Sequence, residues 1–152
     1  MNEIKQLIFI SALLFSFNGL TEDITEEMAI EKLENFFYLL DVDRYDRDDF
    51  SKAVTNNFQI FEDGLDLDLE SFHQFVTDAT GGIIDTEWKL SNFKVILNEN
   101  SAHISYYNNG VFKLDTNESI NSFWMESVYM ILEEGELKVQ FLQSDLVDRE
   151  IK

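Results

Sequence analysis

The stretch that decides the fold is FWMESVYMILEEGELKVQFLQSDLV at residues 123–147. Apolar residues alternate with other residues on both sides of Glu134-Gly135, a pair typical of a tight turn between antiparallel strands. A second stretch, WKLSNFKVILNENSAHISYYNNG at residues 88–110, has the same period of two. Its phase slips at Ser91-Asn92, which predicts a β-bulge that bends the sheet. We therefore expect long antiparallel strands in a strongly curved sheet.

Turn residues divide this region into individual strands. The polar segment NENS at 98–101 and the pairs Asn109-Gly110 and Glu134-Gly135 each favour a hairpin turn. We expect strands at about 102–108, 111–114, 120–133 and 137–143.

The N-terminal part of the chain has the period of helices. Apolar residues recur at steps of three and four from Ile30 to Leu40, which predicts a helix over about 26–40. A short helix that buries Phe50, a short strand at FQIFE (58–62) and a third helix over about 69–77 follow. Helices followed by strands predict an α+β fold, a cone of N-terminal helices packed on a strongly curved antiparallel sheet.

Composition limits the number of domains and the kinds of partner. A chain of 152 residues, 45% of them apolar and 14 of them Phe, fits one globular domain with a large apolar core. Acidic residues outnumber basic ones 30 to 11, and the formal charge of -19 argues against a nucleic-acid partner or an anionic membrane surface. The absence of Cys excludes a disulfide, a thiol nucleophile and a thiolate metal site.

The first residues differ in character from the rest. Lys5 precedes an apolar run from Leu7 to Phe17, which has the length of a signal-peptide core and is too short to span a membrane. Gly19-Leu20-Thr21 then offers small residues for cleavage. We expect a signal peptide over 1–21 and a mature domain over 22–152, exported to a periplasm or outside the cell and free of the membrane after cleavage. The alternative is an N-terminal hydrophobic helix retained in the fold.

Helices followed by these long strands resemble the nuclear transport factor 2-like superfamily, in its SnoaL-like branch. The hairpin at 123–147 is similar to the W-x-E-type strand, acidic-Gly turn and K-[IV]-x-F-x-H-S-like strand with which related domains commonly end. NFQIFEDG at 57–64 lies where the family has its first strand and pocket loop. The resemblance covers nearly all of 22–152.

The resemblance implies a cystatin-like roll with an apolar pocket between the helices and the concave sheet face. It also implies frequent dimerisation through the sheet, so a second copy of this chain is one expected partner. Family members include isomerases, dehydratases, polyketide cyclases and proteins that bind without chemistry, so the fold alone does not select a reaction. This chain has Gln143 where many relatives carry His, and a glutamine cannot transfer protons near neutral pH.

Two acidic residues, Glu62 and Asp63, lie where the predicted first strand ends. A carboxylate walled there by Phe58 and Trp88 would have a pKa raised by desolvation, and could abstract a proton. The alternative is an ordinary polar turn, which the composition Glu-Asp-Gly predicts without any function.

Glu126 is the single charged residue of an otherwise apolar strand. The period of two places it on one face with Trp124 and leaves open whether that face is concave. Facing inward, Glu126 could pair with His103 or Tyr107 for acid/base work. Facing outward, it would be a surface charge or part of a dimer contact.

The sequence thus offers candidates for a site without a decisive catalytic signature. We predict no metal and no cofactor, because the two His residues lie on separate elements and the acidic run at 41–49 lacks the Gly and Glu of a calcium loop. Three functions remain open: binding of a small, largely apolar molecule; proton transfer by an isomerase, dehydratase or cyclase; and a dimerising module without a ligand. The candidate catalytic residues are Asp63, Glu126 and His103. The candidate ligand-binding residues are Tyr38, Phe58, Glu62, Trp88, Tyr107, Trp124 and Gln143.

Overall fold

The computed structural model describes residues 23–152, which form helices packed on one side of a six-stranded sheet. The predicted α+β architecture is confirmed, whereas the predicted signal peptide lies outside the described residues. The elements in chain order are α1 (Glu26–Tyr38), α2 (Arg47–Ala53), β1 (Val54–Glu62), β2 (Leu65–Asp68), α3 (Leu69–Ala79), β3 (Ile83–Asn98), β4 (Ser101–Leu114), β5 (Ser119–Glu133) and β6 (Glu136–Ile151).

Polar side chains fix where the helices begin. The Thr25 hydroxyl accepts a hydrogen bond from the Met28 N–H at the start of α1, and the Asp46 carboxylate does the same for α2. Asp68 and Ser71 form a capping box at the start of α3, as expected for an N-cap aspartate. Among the described residues, no helix is long and apolar enough to span a membrane.

The sheet has the order β2-β1-β6-β5-β4-β3 and is antiparallel except between β1 and β6. Its long strands curl because the register shifts in several places. One shift lies between Ser91 and Lys94, where Asn92 has a positive φ of 57°, so the β-bulge predicted at Ser91-Asn92 is present. A second lies between Phe123 and Trp124. The sheet therefore has a concave face, which the helices cover, and an opposite convex face.

The predicted hairpin at Asn109-Gly110 is wrong, because β4 continues through it to Leu114. Instead, Gly110 allows the rings of Trp124 and Phe112 to pack closely against the strand. A Cβ atom at this position would lie 2.9 Å from Cζ3 of Trp124 and 3.1 Å from the ring of Phe112. A glycine inside a strand often marks such a close approach. The true turn follows at 115–118, where Asn117 has a φ of 71°.

Phenylalanine rings from all three helices and β1 form a buried cluster. Phe36, Phe50, Phe58 and Phe72 are almost fully buried, with ring centroids 5.0–6.2 Å apart. Aromatic pairs at such distances contribute beyond the area that they bury. This core anchors all three helices to β1, and Phe36 and Phe72 also reach the wall of the neighbouring cavity.

Candidate functional site

A cavity of about 360 Å³ lies between α1, α3 and the concave face of the sheet. Aliphatic and aromatic side chains form most of its wall, among them Phe37, Phe75, Val76, Phe112, Trp124 and Leu142. The volume is at the lower end of the range of about 300–1,000 Å³ typical of small-molecule pockets. The cavity therefore fits a compact molecule.

Polar residues at the floor of the cavity and directly beside it come from neighbouring strands at one level of the sheet. Glu62 on β1 is the register partner of Ser144 on β6, and Ser144 is the partner of Glu126 on β5. Tyr106 on β4 is in turn the partner of Glu126. In antiparallel pairs such as Glu126 with Ser144 and Glu126 with Tyr106, directly opposite residues lie about 4.5–5.5 Å apart at Cβ. We call Glu62, Ser144 and Glu126 the carboxyl row.

Glu126 is held by hydrogen bonds from both sides. The Ser144 hydroxyl donates to its Oε1 at 2.9 Å, and the Asn108 amide donates to its Oε2 at 3.2 Å. Burial raises the pKa of Glu126 from 4.5 to about 7, the charge on Glu62 raises it further, and the Ser144, Tyr106 and Asn108 donors oppose the increase. Glu126 therefore changes its protonation state near neutral pH.

Glu62 has the same property on the other side of Ser144. Burial raises its pKa from 4.5 to about 7, with Ser144 opposing and the charge of Asp63 adding to the increase. A hydroxyl has one hydrogen, so Ser144 donates to one carboxylate at a time, and a protonated Glu62 can donate to its oxygen. The carboxyl row can thus hold a proton in more than one place near neutral pH. Such an arrangement suits acid/base chemistry.

An aromatic wall stands beside the carboxyl row. The rings of Trp88, Phe112 and Trp124 contact one another at centroid distances of 5.2–6.2 Å, and Phe37 packs on Trp88 at 5.1 Å. The absence of a side chain at Gly110 gives Trp124 and Phe112 the space that they occupy. Trp88 and Trp124, both predicted to bind a ligand, therefore lie on the cavity wall.

Charged residues lie at the mouth of the cavity. Asp63 is in the turn between β1 and β2 with a positive φ of 49°, and its carboxylate is 3.9 Å from the Arg149 guanidinium. The same guanidinium donates to the Ser122 hydroxyl at 3.2 Å. Asp63 and Arg149 are both substantially exposed, so their ion pair contributes little to stability. Asp63 therefore sits at the rim of the cavity, whereas Glu62 reaches its floor.

The chain matches no family model and no curated protein, but it matches many solved structures. A proposed aromatic ring hydroxylase from Novosphingobium aromaticivorans superposes with a TM-score of 0.73 at 14% identity, over 83% of this chain and 92% of that one. A hexachlorocyclohexane dehydrochlorinase (LinA type 2) gives 0.69 at 11% identity, over 83% and 88%. The CaMKII hub of S. rosetta gives 0.66 at 16% identity, over 80% and 95%.

The chain has the nuclear transport factor 2-like fold. The resemblance seen in the sequence is thus confirmed at the level of the fold. At these identities the likeness does not extend to activity, so the function of this domain has to be argued from its own cavity.

The nuclear transport factor 2-like sheet places three predicted site residues on its convex face. Tyr107 and Gln143 neighbour Tyr106 and Ser144 in sequence, and the period of two directs them away from the cavity. His103 is on the convex face as well, because its neighbours Ala102 and Ile104 are the buried, concave residues. The predicted pairing of Glu126 with His103 or Tyr107 is therefore wrong.

Two further candidates lie outside the cavity wall. Tyr38 is 54% exposed at the end of α1, where the Arg44 guanidinium stacks 4.5 Å from its ring centroid. Phe58 belongs to the buried phenylalanine core.

Of the two His residues, His73 is buried with its ring nitrogens bonded to Tyr45 and Ser51, and no cluster of three metal-ligating residues occurs within 23–152.

Sequence reasoning missed the residues that complete the site. Asn108, Ser144 and Arg149 line or support the cavity, and Tyr106 lies beside Glu126. Burial and the neighbouring Glu126 raise the pKa of Tyr106 well above its ordinary value. The alternation around Glu126 was visible in the sequence, but the strand register that selects its neighbours was not.

Proposed function

We propose that this domain binds a small, largely apolar molecule in the cavity above the carboxyl row. The observation that carries the proposal is the cavity of about 360 Å³, walled mainly by aliphatic and aromatic side chains. A void of this kind gives up packing contacts that a filled interior would have, so a bound molecule restores them. The dehydrochlorinase among the similar structures is named for a compact apolar substrate, which supports this class of ligand.

Binding of a neutral dye tests this proposal. N-phenyl-1-naphthylamine should gain fluorescence in the cavity, and Val76→Phe should abolish the gain, because Val76 lines the cavity from α3. The matched control is Ile96→Phe, which adds the same ring at an exposed position on the convex face. Equal dye binding by the wild-type domain and Val76→Phe would contradict the proposal.

The carboxyl row favours a second function, proton transfer on the bound molecule. Glu62 and Glu126 both have pKa values of about 7, so one can accept a proton while the other donates one. The surrounding apolar wall excludes water, which strengthens the electrostatic interactions that assist proton transfer. The reaction class would be that of an isomerase, dehydratase or cyclase acting on a carbonyl compound.

Hydrogen exchange tests this second function. The domain should catalyse deuterium incorporation beside the carbonyl group of 2-indanone in D₂O, with a rate that changes near pH 7. Glu62→Gln and Glu126→Gln should each lower the rate by at least about a hundredfold. Glu99→Gln, in the exposed β3–β4 turn, is the control. If the domain binds 2-indanone but catalyses no exchange, the proposed proton transfer is refuted and the proposed ligand binding stands.

The convex face supports a proposal about partners, namely self-association of two copies through the sheet. Tyr107, Met125 and Tyr129 are 41%, 48% and 37% exposed there, and an exposed apolar patch commonly marks an interface. The similarity to a CaMKII hub agrees with an assembling fold. Sedimentation velocity should show a dimer that Met125→Glu dissociates, with Ile84→Glu as control; a monomeric wild-type domain would refute it.

Export remains a proposal that rests on the sequence of residues 1–21. The apolar run Leu7–Phe17 and the small residues near Thr21 support it. Expression of the full chain in a secreting bacterial host should yield a processed protein that begins at Glu22. Mass spectrometry that finds residues 1–21 still attached would contradict this.

A further inference from the structure

Hydrogen-bond acceptors gather at one part of the cavity wall. Glu62, Glu126 and Asn108 all line the cavity, and Nδ2 of Asn108 donates to Oε2 of Glu126 at 3.2 Å. Asn108 is 1% exposed, and its Oδ1 has no hydrogen-bond partner in the described part of the chain. Buried polar groups are nearly always paired, so a free acceptor on the wall of a cavity indicates a donor that the protein itself does not supply.

The donors around the carboxyl row are too few for two ionised carboxylates. Each carboxylate has about four acceptor positions. The side chains that donate to Glu62 or Glu126 are Ser144, Tyr106, Asn108 and Trp124. A hydroxyl has one hydrogen, so Ser144 serves one carboxylate at a time. When Glu62 and Glu126 are both charged, they therefore keep lone pairs that a ligand with several N–H or O–H groups can use.

Positive charge is scarce around the carboxyl row. Arg149 is the only Lys or Arg among the described residues that line the cavity, and its guanidinium lies 3.9 Å from the Asp63 carboxylate at the mouth. Two neighbouring carboxylates repel each other, which favours a bound proton between Glu62 and Glu126 near neutral pH. A positively charged ligand would relieve this repulsion, whereas a negatively charged one would increase it.

The aromatic faces beside the carboxyl row also suit a cation. Trp88, Phe112 and Trp124 line the cavity together, with ring centroids 5.2–6.2 Å apart. The face of an aromatic ring carries partial negative charge and attracts an ammonium group within about 6 Å, most strongly at Trp and where water is excluded. The same rings provide a large apolar contact area. This wall can therefore contact both a charged nitrogen and a hydrocarbon group.

We propose that the cavity binds a small apolar amine in its protonated form, with the ammonium group directed to Glu62, Glu126 and the free Oδ1 of Asn108. A primary ammonium group has three N–H donors and no acceptor, which matches these three acceptor groups. The volume of about 360 Å³ limits the hydrocarbon part to one or two rings. This inference rests on the proposed binding function and adds the chemical class of the ligand.

Proton release distinguishes this mode of binding from simple filling of the cavity. The ammonium group stabilises the charged forms of Glu62 and Glu126, so it lowers the pKa of both from about 7. The other charged or titratable groups that act on the pair are Asp63, Arg149 and Tyr106. Two carboxyl groups with these pKa values share about one proton near pH 7, and binding should release it. The affinity for the amine should therefore rise as the pH increases through about 7.

Two probes of the same size test the inference. 2-Aminoindane is an ammonium ion near neutral pH, and 2-indanol has a neutral hydroxyl group in its place. Displacement of N-phenyl-1-naphthylamine from the cavity gives the affinity of each probe. Calorimetric titrations in phosphate and in Tris, two buffers with different ionisation enthalpies, give the number of protons released.

We expect 2-aminoindane to bind at least about tenfold more tightly than 2-indanol, and to release a proton that 2-indanol does not. Glu62→Gln and Glu126→Gln should each lower this preference about fivefold. Glu99→Gln is the matched control, because it removes the same charge from an exposed turn and should keep the preference. Val76→Phe fills the cavity and should abolish binding of both probes.

Several outcomes would overturn the inference while the binding function stands. These are equal affinities, a preference for 2-indanol, amine binding without proton release, or failure of both probes to displace the bound dye. Amine binding that persists in Val76→Phe would place the cation on the acidic surface and would overturn the inference as well. Failure of the dye itself to bind would overturn both the inference and the binding function.

Discussion

Replacing Glu126 by Gln should make the domain more stable at alkaline pH. The folded-state pKa of Glu126 is about 7, against an ordinary value of 4.5. Between these values the folded chain retains a proton that the unfolded chain has lost, so the free energy of unfolding falls as the pH rises. Each pKa unit corresponds to about 1.4 kcal/mol, which puts the cost of ionising Glu126 at about 3 kcal/mol.

The substitution preserves the contacts of the side chain. The oxygen of a Gln side chain can still accept from Ser144, and its NH₂ group faces Asn108. Asn108 can rotate its amide to present Oδ1, which has no partner in the described structure. We therefore expect Glu126→Gln to match the wild-type domain near about pH 4 and to exceed its stability by about 3 kcal/mol near about pH 8.

Urea unfolding at a series of pH values measures this difference. Glu99→Gln is the matched control, because it removes one charge from an exposed turn and so accounts for general repulsion in this acidic chain. Glu62→Gln should also flatten the profile, since the charge of Glu62 raises the pKa of Glu126. Parallel profiles for Glu126→Gln and the wild-type domain would refute the burial argument.

Three other substitutions test the packing and helix capping that hold the fold together, each by urea unfolding. Gly110→Ala places a Cβ 2.9 Å from Trp124 and should cost about 1–3 kcal/mol; an unchanged midpoint would mean that the rings move aside freely. Phe50→Ala empties a fully buried site and should cost about 3–5 kcal/mol, unlike Tyr38→Ala at an exposed one. Asp68→Ala removes the N-cap of α3 and should cost about 1 kcal/mol, which Asp68→Asn restores.

The sequence predicted the fold well because periodicity is a local property. The period of two over 88–110 and 123–147 identified β3 to β6, and steps of three and four identified α1. The error at Asn109-Gly110 has a physical cause. A glycine in a turn and a glycine beneath an aromatic ring look the same in a sequence, and only the three-dimensional contact with Trp124 separates them.

The site was predicted only in part because it depends on strand register. The period of two in the sequence placed Glu126 and Trp124 on the same face of their strand, and in the structure both line the cavity. A shift of one residue exchanges the faces of a strand, so periodicity alone could not distinguish Tyr106 from Tyr107 as the neighbour of Glu126. The same ambiguity made Gln143 a candidate site residue, whereas its neighbour Ser144 is the one that lies between the carboxyl groups of Glu62 and Glu126.

The central place of β6 has a consequence for the order of synthesis. β6 lies between β1 and β5, so Glu62 meets Ser144 only after nearly the whole domain has left the ribosome. Strands β3 to β5 can pair with their sequence neighbours as they emerge, whereas β1 can pair with β2 at once but waits for β6 on its other edge. A nascent chain that stops before Glu136 leaves one edge of β5 with unpaired backbone N–H and C=O groups, which can pair with another chain.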